Sequence, residues 1–270
     1  MTRRIPTKRW HPSALVSASM AAHAAAAALV AIRPGLWPWV LGGILVDHMA
    51  LSASGLWPRS SLLGPNWTRL PPGAASGSIA ITIDDGPDPE VTPGVIEILA
   101  RYRAKATFFC IGERVAAHPQ LARSIVSNGH AVENHSQHHL HRFALLGPAG
   151  MKAEISEAQQ VIASVVGEAP RLFRPPAGLR NPFLDPVLAR LGLQLASWTR
   201  RGFDTMARNP DIVLRRLIRG LQPGDIILLH DGNASRTPSG RPLILETLPA
   251  LLEVIAAAGL TPVTLRSALR

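Results

Sequence analysis

The chain has 270 residues, 47% hydrophobic and 17% charged, which suits one sizeable domain with an appendage, and its single cysteine, Cys110, excludes an internal disulfide and a cysteine-rich metal site. More than half of the net charge of +10 comes from residues 1–77, which hold seven Lys or Arg residues and one acid. No basic run interleaved with aromatic residues follows, so the charge indicates a membrane and argues against a nucleic-acid partner.

Two apolar stretches follow the basic N-terminus. The first, over about residues 12–32, is free of charged residues, and its length matches the ~20 residues that a helix needs to cross a bilayer. The second, residues 34–56, is flanked by tryptophans and interrupted by Asp47 and His48. We predict that residues 1–57 form a membrane-associated helical segment, with one or two transmembrane helices, anchored in the bacterial inner membrane.

The membrane side of the rest of the chain depends on the second stretch. The basic N-terminus is expected in the cytoplasm. If both stretches span the membrane, the following domain is cytoplasmic as well; if Asp47 and His48 keep the second stretch in the interface, the domain lies on the far side. The same pair is a minor functional candidate, because ionisable groups inside a membrane are costly. Residues 58–77, rich in Pro, Gly and Ser, are predicted to be a linker.

Residues 78–270 are predicted to form one catalytic domain. Short β-favouring runs alternate there with amphipathic stretches. The predicted strands are 78–83, 106–111, 131–134, 171–174, 194–199, 225–229 and 261–265. The predicted helices are 93–102, 119–128, 149–166, 182–191, 210–221 and 242–258. Such alternation, over about seven units, predicts an α/β fold with parallel strands, a distorted or incomplete (β/α) TIM-like barrel.

Polar clusters follow five of the predicted strands, where the chemistry of such barrels gathers. These clusters are Asp84-Asp85, His135 and its neighbours, Arg174, residues 198–204, and His230-Asp231. Adjacent residues of an extended segment point to opposite faces. One acid of the first cluster is therefore expected to bind a metal while its neighbour faces the substrate or the attacking water.

The histidine-rich segment after the third strand is a candidate half of a metal site. His135 and His139 are four residues apart and share a face if the segment forms a helical turn. With one carboxylate they would make a two-His-one-carboxylate set that leaves positions for water. His138 has a same-face spacing to His135 as well and is the alternative ligand.

Four segments together resemble the motifs of the polysaccharide deacetylases with a NodB homology domain, carbohydrate esterase family 4. The matching segments, in the family's order, are 82–87 (TIDDGP), 135–139 (HSQHH), 174–178 (RPPAG) and 228–230 (LLH). The resemblance covers about residues 78–265. It implies that Asp84 is the general base, that Arg174 holds it in place, and that Asp85, His135 and His139 bind a divalent metal, usually Zn²⁺.

The resemblance also assigns the acid and exposes a departure. His230 would be the general acid that protonates the departing amine. The fourth family motif usually has two Asp and a Trp; here Asp204 is kept and would orient His230, whereas the earlier Asp position holds Arg201 and the Trp position holds Thr205. Arg200 and Arg201 add positive charge near the expected site, either as a solvated pair or as contacts to a phosphate or other acidic part of the substrate.

The activity that the resemblance implies is hydrolysis of a carbon–nitrogen bond. The enzyme would remove an N-acyl group, most often acetyl, from an amino sugar of a cell-envelope glycan or a lipid-linked sugar, with a divalent metal as its cofactor. Two alternatives stay open at this point. One is a deformylase acting on a lipid-linked amino sugar, and the other is a catalytically inactive glycan-binding membrane protein.

Overall fold

The N-terminal part is a pair of antiparallel helices. The computed structural model describes residues 10–269, so the basic cluster of the N-terminus lies outside the described residues. Helix α1 covers Ala14–Ile32, a 3-10 turn covers Pro34–Leu36, and helix α2 covers Trp37–Leu56. Both helices are long and apolar enough to cross a membrane.

The two helices join through polar side chains. Ser19 Oγ of α1 donates to Asp47 Oδ2 of α2 at 2.7 Å. Nε2 of His23 lies 3.1 Å from Nε2 of His48, and Nδ1 of His23 lies 2.8 Å from the carbonyl oxygen of Ser19. Helix α2 is continuous through Asp47 and His48, and α1 supplies partners for both side chains.

The rest of the chain forms a curled sheet of parallel strands surrounded by helices. The strands are β1 Ser78–Asp84, β2 Ala106–Cys110, β3 Ala131–Asn134, β4 Leu172–Phe173, β5 Gln194–Leu195, β6 Arg200–Arg201, β7 Ile226–His230 and β8 Thr261–Val263. Their order is β5-β4-β3-β2-β1-β7-β6, and β8 pairs with the first residues of β1. The predicted distorted (β/α) barrel is confirmed, with seven strands along the curled path.

The α-helices of this part include the six predicted ones, close to their predicted positions, and two short ones that the sequence did not predict, over residues 72–75 and 112–117. They are α3 Pro72–Ala75, α4 Thr92–Arg101, α5 Gly112–Ala117, α6 Pro119–Ser127, α7 Pro148–Val166, α8 Leu184–Leu191, α9 Pro210–Ile218 and α10 Leu243–Ala257. Alternate residues of β1 enter two cores: Ile79, Ile81 and Ile83 pack in the larger core that includes residues of the helices, whereas Ala80 packs in a second core with Phe109 of β2. Burial of both faces explains the continuous apolar runs of the strands.

The fifth predicted strand, 194–199, is broken in the structure. Its first residues form β5, and the chain then crosses the opening of the barrel before β6 pairs with β7. Trp67 lies in this opening: its N–H donates to the Leu195 carbonyl at 2.9 Å, and its carbonyl accepts from the Ser197 N–H at 2.8 Å. Leu70 N–H donates to the Gly224 carbonyl at 2.8 Å. We propose that these residues of the predicted linker belong structurally to the catalytic domain.

The helix pair joins the barrel at the end where the strands finish. The Arg180 N–H, in the loop after β4, donates to the Gly55 carbonyl at 3.1 Å, and its Nη2 donates to the Ser60 carbonyl at 2.5 Å. Gly55 is required here, because a Cβ atom would lie 2.1 Å from the Arg180 carbonyl oxygen. Trp10 Nε1, before α1, donates to Asp185 Oδ2 in the first turn of α8 at 2.7 Å.

Candidate active site

Asp84 and Arg174 form a buried ion pair inside the barrel. Asp84 is the last residue of β1, and its Oδ1 accepts from Arg174 Nη1 at 2.5 Å. The guanidinium also donates to the carbonyl oxygens of Ala196 and Ser197, at 3.1 and 2.7 Å. Its carbon lies 4.1 Å from the centre of the Phe109 ring. These contacts fix the position of the Arg174 guanidinium, which pairs with the carboxylate of Asp84.

Asp85 leaves the strand by a turn of the backbone. Its φ is 75°, so the expectation that both acids sit on an extended segment is wrong. The left-handed conformation, which Asp tolerates better than most residues, turns its carboxylate toward the loop after β3. Asp85 Oδ1 lies 3.1 Å from His135 Nε2 and 3.2 Å from His139 Nε2.

The two histidines converge through a loop and not through the helical turn expected over 135–139. Ser136 and His139 both have positive φ, 66° and 50°. Asn134 Oδ1 accepts from the Ser136 N–H at 2.9 Å, and Ser136 Oγ accepts from the His139 N–H at 3.1 Å. These side-chain bonds offer the backbone an alternative to helical hydrogen bonds, which explains why no helix forms.

The donor set fits a divalent cation. The ligand atoms of Asp85, His135 and His139 lie within 4.8 Å of one another. Among the described residues, Asp85 Oδ1 is buried without a hydrogen-bond partner. Nδ1 of His135 lies 2.7 Å from the Arg174 carbonyl, which assigns the proton to Nδ1 and leaves the Nε2 lone pair free. Burial, the largest cause, lowers the pKa of His139 to about 4, so its imidazole is neutral at pH 7.

His138, the alternative ligand, points elsewhere. Its Nδ1 lies 2.8 Å from Glu154 Oε1, and its N–H donates to Glu154 Oε2 at 3.1 Å. The hydrogen bond to Glu154 raises the pKa of His138. The structure therefore brings His139, and not His138, to Asp85.

His230 and Asp204 form the second polar pair of the site. His230 is the last residue of β7; its Nδ1 lies 2.9 Å from Asp204 Oδ1, and its N–H donates to Asp204 Oδ2 at 2.7 Å. Burial alone would lower the pKa of His230. The charge and hydrogen bond of Asp204, with the charges of Asp84 and Asp85, outweigh it and raise the pKa to about 9.

The loop after β7 contributes Asn233, which the sequence did not single out, and Asp231, which the sequence placed in a strand-end cluster without a role. Asn233 Nδ2 donates to Asp85 Oδ2 at 3.0 Å, on the oxygen that does not face the histidines. Asp231 is fully buried and accepts from Thr92 Oγ1 at 2.5 Å, and burial raises its pKa to about 7. The signal for Asn233 in the sequence is a run of turn-forming residues, Asp-Gly-Asn, directly after a buried strand.

The two arginines of the departing motif point in different directions. Arg200 Nε donates to Asp225 Oδ2 at 2.8 Å, at the start of β7 and away from the strand ends. The expectation that it adds charge near the site is wrong, because neighbouring residues of a strand alternate in direction. The Arg201 guanidinium lies 5.5 Å from the Trp198 ring and 4.9 Å from the Phe203 ring. The Arg174 guanidinium lies 5.6 Å from the same Trp198 ring, so Arg201 is on the face of the barrel that carries the candidate site.

Comparisons with known proteins agree with this geometry. The family model described as Polysaccharide deacetylase matches residues 73–196. A peptidoglycan-N-acetylglucosamine deacetylase of Bacillus cereus is 34% identical over 179 residues, which cover 66% of this chain and 79% of the relative. The family 4 carbohydrate esterase from Streptomyces lividans, solved in complex with acetate, matches with a TM-score of 0.62 and 34% identity, over 69% of this chain and 91% of that chain.

A third comparison separates fold from activity. A mutant of the Bacillus anthracis protein BA3943, described as a family 4 pseudoenzyme with restored enzymatic activity, matches with a TM-score of 0.68 and 25% identity, over 76% of this chain and 71% of that chain. The fold alone therefore does not decide activity, and the side chains of the site carry that argument.

Proposed function

The chain belongs to the polysaccharide deacetylase family, hydrolases that act on carbon–nitrogen bonds, and from that premise we propose that it is a metal-dependent enzyme that removes an N-acyl group, first of all acetyl, from an amino sugar. One observation carries this proposal. Asp85 Oδ1 and the Nε2 atoms of His135 and His139 converge on one point, beside the buried carboxylate of Asp84. The names of the relatives support an N-acetylglucosamine-containing substrate.

Asp84 is the proposed general base. Asp85, His135 and His139 would hold a divalent cation, Zn²⁺ being the first candidate for two imidazoles and one carboxylate. When bound, such a cation supplies a Lewis acid that polarises the acyl oxygen and lowers the pKa of the attacking water. Asp84 accepts a proton from that water while Arg174 fixes the orientation of its carboxylate.

His230 is the proposed general acid. The amine leaves only when it receives a proton as the carbon–nitrogen bond breaks, which releases acetate and the free amino sugar. With a pKa near 9, His230 is protonated at neutral pH. Because Nδ1 is held by Asp204, the proton is delivered from Nε2.

We also propose that both N-terminal helices span the inner membrane. The partners that α1 offers Asp47 remove the main argument against a spanning α2. Both ends of the helix pair lie beside the barrel, whereas the connecting turn holds only one basic residue, Arg33. The basic N-terminal residues then place the catalytic domain on the cytoplasmic side. On the cytoplasmic side, a lipid-linked amino sugar is a better candidate substrate than a finished envelope polymer.

Two other functions make different predictions for the same assay. A deformylase would release formate from a lipid-linked amino sugar, and an inactive glycan-binding protein would release neither acid. The complete set of donor and proton-transfer groups argues against the inactive protein.

Acetate and formate release from N-acylated glycans and lipid-linked amino sugars, with and without chelator, tests the proposal. We expect acetate release that the chelator abolishes. Activity indifferent to the chelator would refute the metal-dependent mechanism.

A further inference from the structure

The helix pair contacts the barrel on the same face as the candidate site. Gly55 contacts Arg180 in the loop after β4, six residues beyond Arg174. A Cβ atom at Gly178, in the same loop, would lie 2.8 Å from Pro58 Cβ. The helices themselves pack on each other and extend away from the barrel, with exposed Trp37 and Trp39 near the connecting turn. A membrane that holds the helices therefore faces the strand ends.

The exposed apolar side chains of the barrel lie on that face as well. Among the described residues after 57, the exposed large hydrophobic side chains are Leu62, Leu145, Phe183, Phe203, Met206 and Ile212. Apart from Leu62, which lies at the base of the helix pair, each sits in a loop that follows a strand end or in the first turns of the helix after it. Leu145 is 86% exposed and Met206 79%. Apolar side chains gathered on one face indicate an interaction surface.

Basic side chains accompany the apolar ones. The Phe203 ring is flanked by the guanidinium groups of Arg201 and Arg216, whose carbons lie 4.9 and 5.6 Å from its centre. Arg142 and Arg208 are exposed, and they precede Leu145 and follow Met206 in the sequence. Apolar tips among guanidinium groups are typical of surfaces that insert into the head-group layer of an anionic membrane.

We propose that this face, which we call the membrane rim and define as Leu145, Phe183, Phe203, Met206 and their neighbouring arginines, contacts the bilayer in which the helix pair is embedded. The site then opens toward the head groups, so that a lipid-linked amino sugar enters without leaving the membrane. Arg201, between the Phe203 rim and the Trp198 side of the site, is placed to contact the phosphate of such a lipid. This inference rests on the proposed deacetylase function for its substrate, but the contact itself is independent of catalysis.

Depth of insertion tests the contact directly. The full chain is reconstituted in vesicles with anionic lipids, with a fluorophore attached to Leu145→Cys, Met206→Cys or, as the control at the opposite end of the barrel, Ala258→Cys. The native Cys110 is fully buried and does not compete for label. We expect lipids with brominated acyl chains to quench the two rim positions at least about twofold more than the control. Equal quenching at all three positions would overturn the proposal.

Activity measured on two substrates distinguishes the membrane contact of the rim from catalysis. The double variant Leu145→Glu, Met206→Glu should lose roughly tenfold in deacylation of a lipid-linked amino sugar, because charged side chains resist insertion. It should keep its activity on a short soluble N-acetylated oligosaccharide, as should Ala258→Glu on both substrates. Equal loss on both substrates would overturn the proposed contact of the rim with the bilayer. A wild-type chain that deacylates neither substrate would refute the proposed function, and the quenching result would still test the membrane contact.

Discussion

Asp84 and His230 are direct partners in the parallel pairing of β1 with β7, and each is the last residue of its strand. Neighbouring strands lie about 4.8 Å apart, so the proposed base and acid start from adjacent positions at the same height of the barrel. Each has its own buried counterion, Arg174 for Asp84 and Asp204 for His230. This arrangement keeps one group able to accept a proton and the other able to donate one.

Asp204→Asn should shift the alkaline limb of the pH–rate profile. In the folded chain the pKa of His230 is raised to about 9, so the active protonated form persists below that pH and is lost above it. Removal of the Asp204 charge lowers this pKa toward 6.5, and we expect the alkaline limb of kcat/KM to move down by at least about one pH unit. An alkaline limb that stays in place would contradict the assignment of His230 as the acid.

His139→Ala should weaken metal binding far more than the matched variant His138→Ala. Of these two histidines, His139 directs its Nε2 at Asp85, whereas His138 is engaged by Glu154. We expect the affinity for Zn²⁺, measured by calorimetry on the chelated chain, to fall at least ~100-fold in His139→Ala and to stay within about threefold in His138→Ala. A larger loss of affinity in His138→Ala than in His139→Ala would identify His138 as the metal ligand.

Asn233→Ala should weaken metal binding without removing a ligand. Its amide donates to the carboxylate oxygen of Asp85 that faces away from the histidines, and it thereby fixes the orientation of that ligand. Loss of such a partner typically costs about 10–100-fold in metal affinity. The same calorimetric titration checks this, and Asn181→Ala, which removes hydrogen bonds to the Ala144 and Leu146 carbonyls elsewhere, serves as the control. Equal affinities in the two variants would show that Asn233 does not position Asp85.

Arg174→Met should destabilise the fold as well as abolish activity. It leaves the buried Asp84 carboxylate and the carbonyl of Ser197 without their donor. Loss of one partner from a buried ion pair costs about 3–5 kcal/mol in the free energy of unfolding. The surface variant Arg101→Ala, which breaks an exposed pair with Glu97, should cost under about 0.5 kcal/mol. Urea unfolding measures both, and similar losses in the two would contradict a structural role for Arg174.

The sequence predicted the barrel and the chemical groups of the site better than the path of the loops. Hydrophobic runs and motif order located Asp84, His135, Arg174 and His230 at strand ends, because parallel strands finish on one face. The His135–His139 spacing suggested a helical turn. Side-chain bonds from Asn134 and Ser136 to the backbone override that local preference, and periodicity does not report them.

The sequence also did not predict the contacts between segments that are distant in the chain. Trp67 lies in a stretch whose Pro, Gly and Ser content predicts a linker, yet it hydrogen-bonds to the edge of the barrel at Leu195 and Ser197. Arg200 and Arg201 read as one charged pair, and only the pairing of β6 with β7 shows that their side chains diverge. Contacts between segments more than a hundred residues apart depend on tertiary packing, which no local pattern encodes.

We propose that Asp84 acts as base beside a cation held by Asp85 and the two histidines. Acetate release by the chelated full chain, titrated with Zn²⁺, tests it most directly when wild type and Asp84→Asn are compared. We predict that wild-type activity returns with one equivalent of Zn²⁺, and that Asp84→Asn binds the same equivalent but stays at least ~1000-fold less active. Activity of the chelated wild type, or a metal-loaded Asp84→Asn that matches wild type, would contradict this role of Asp84 and the metal.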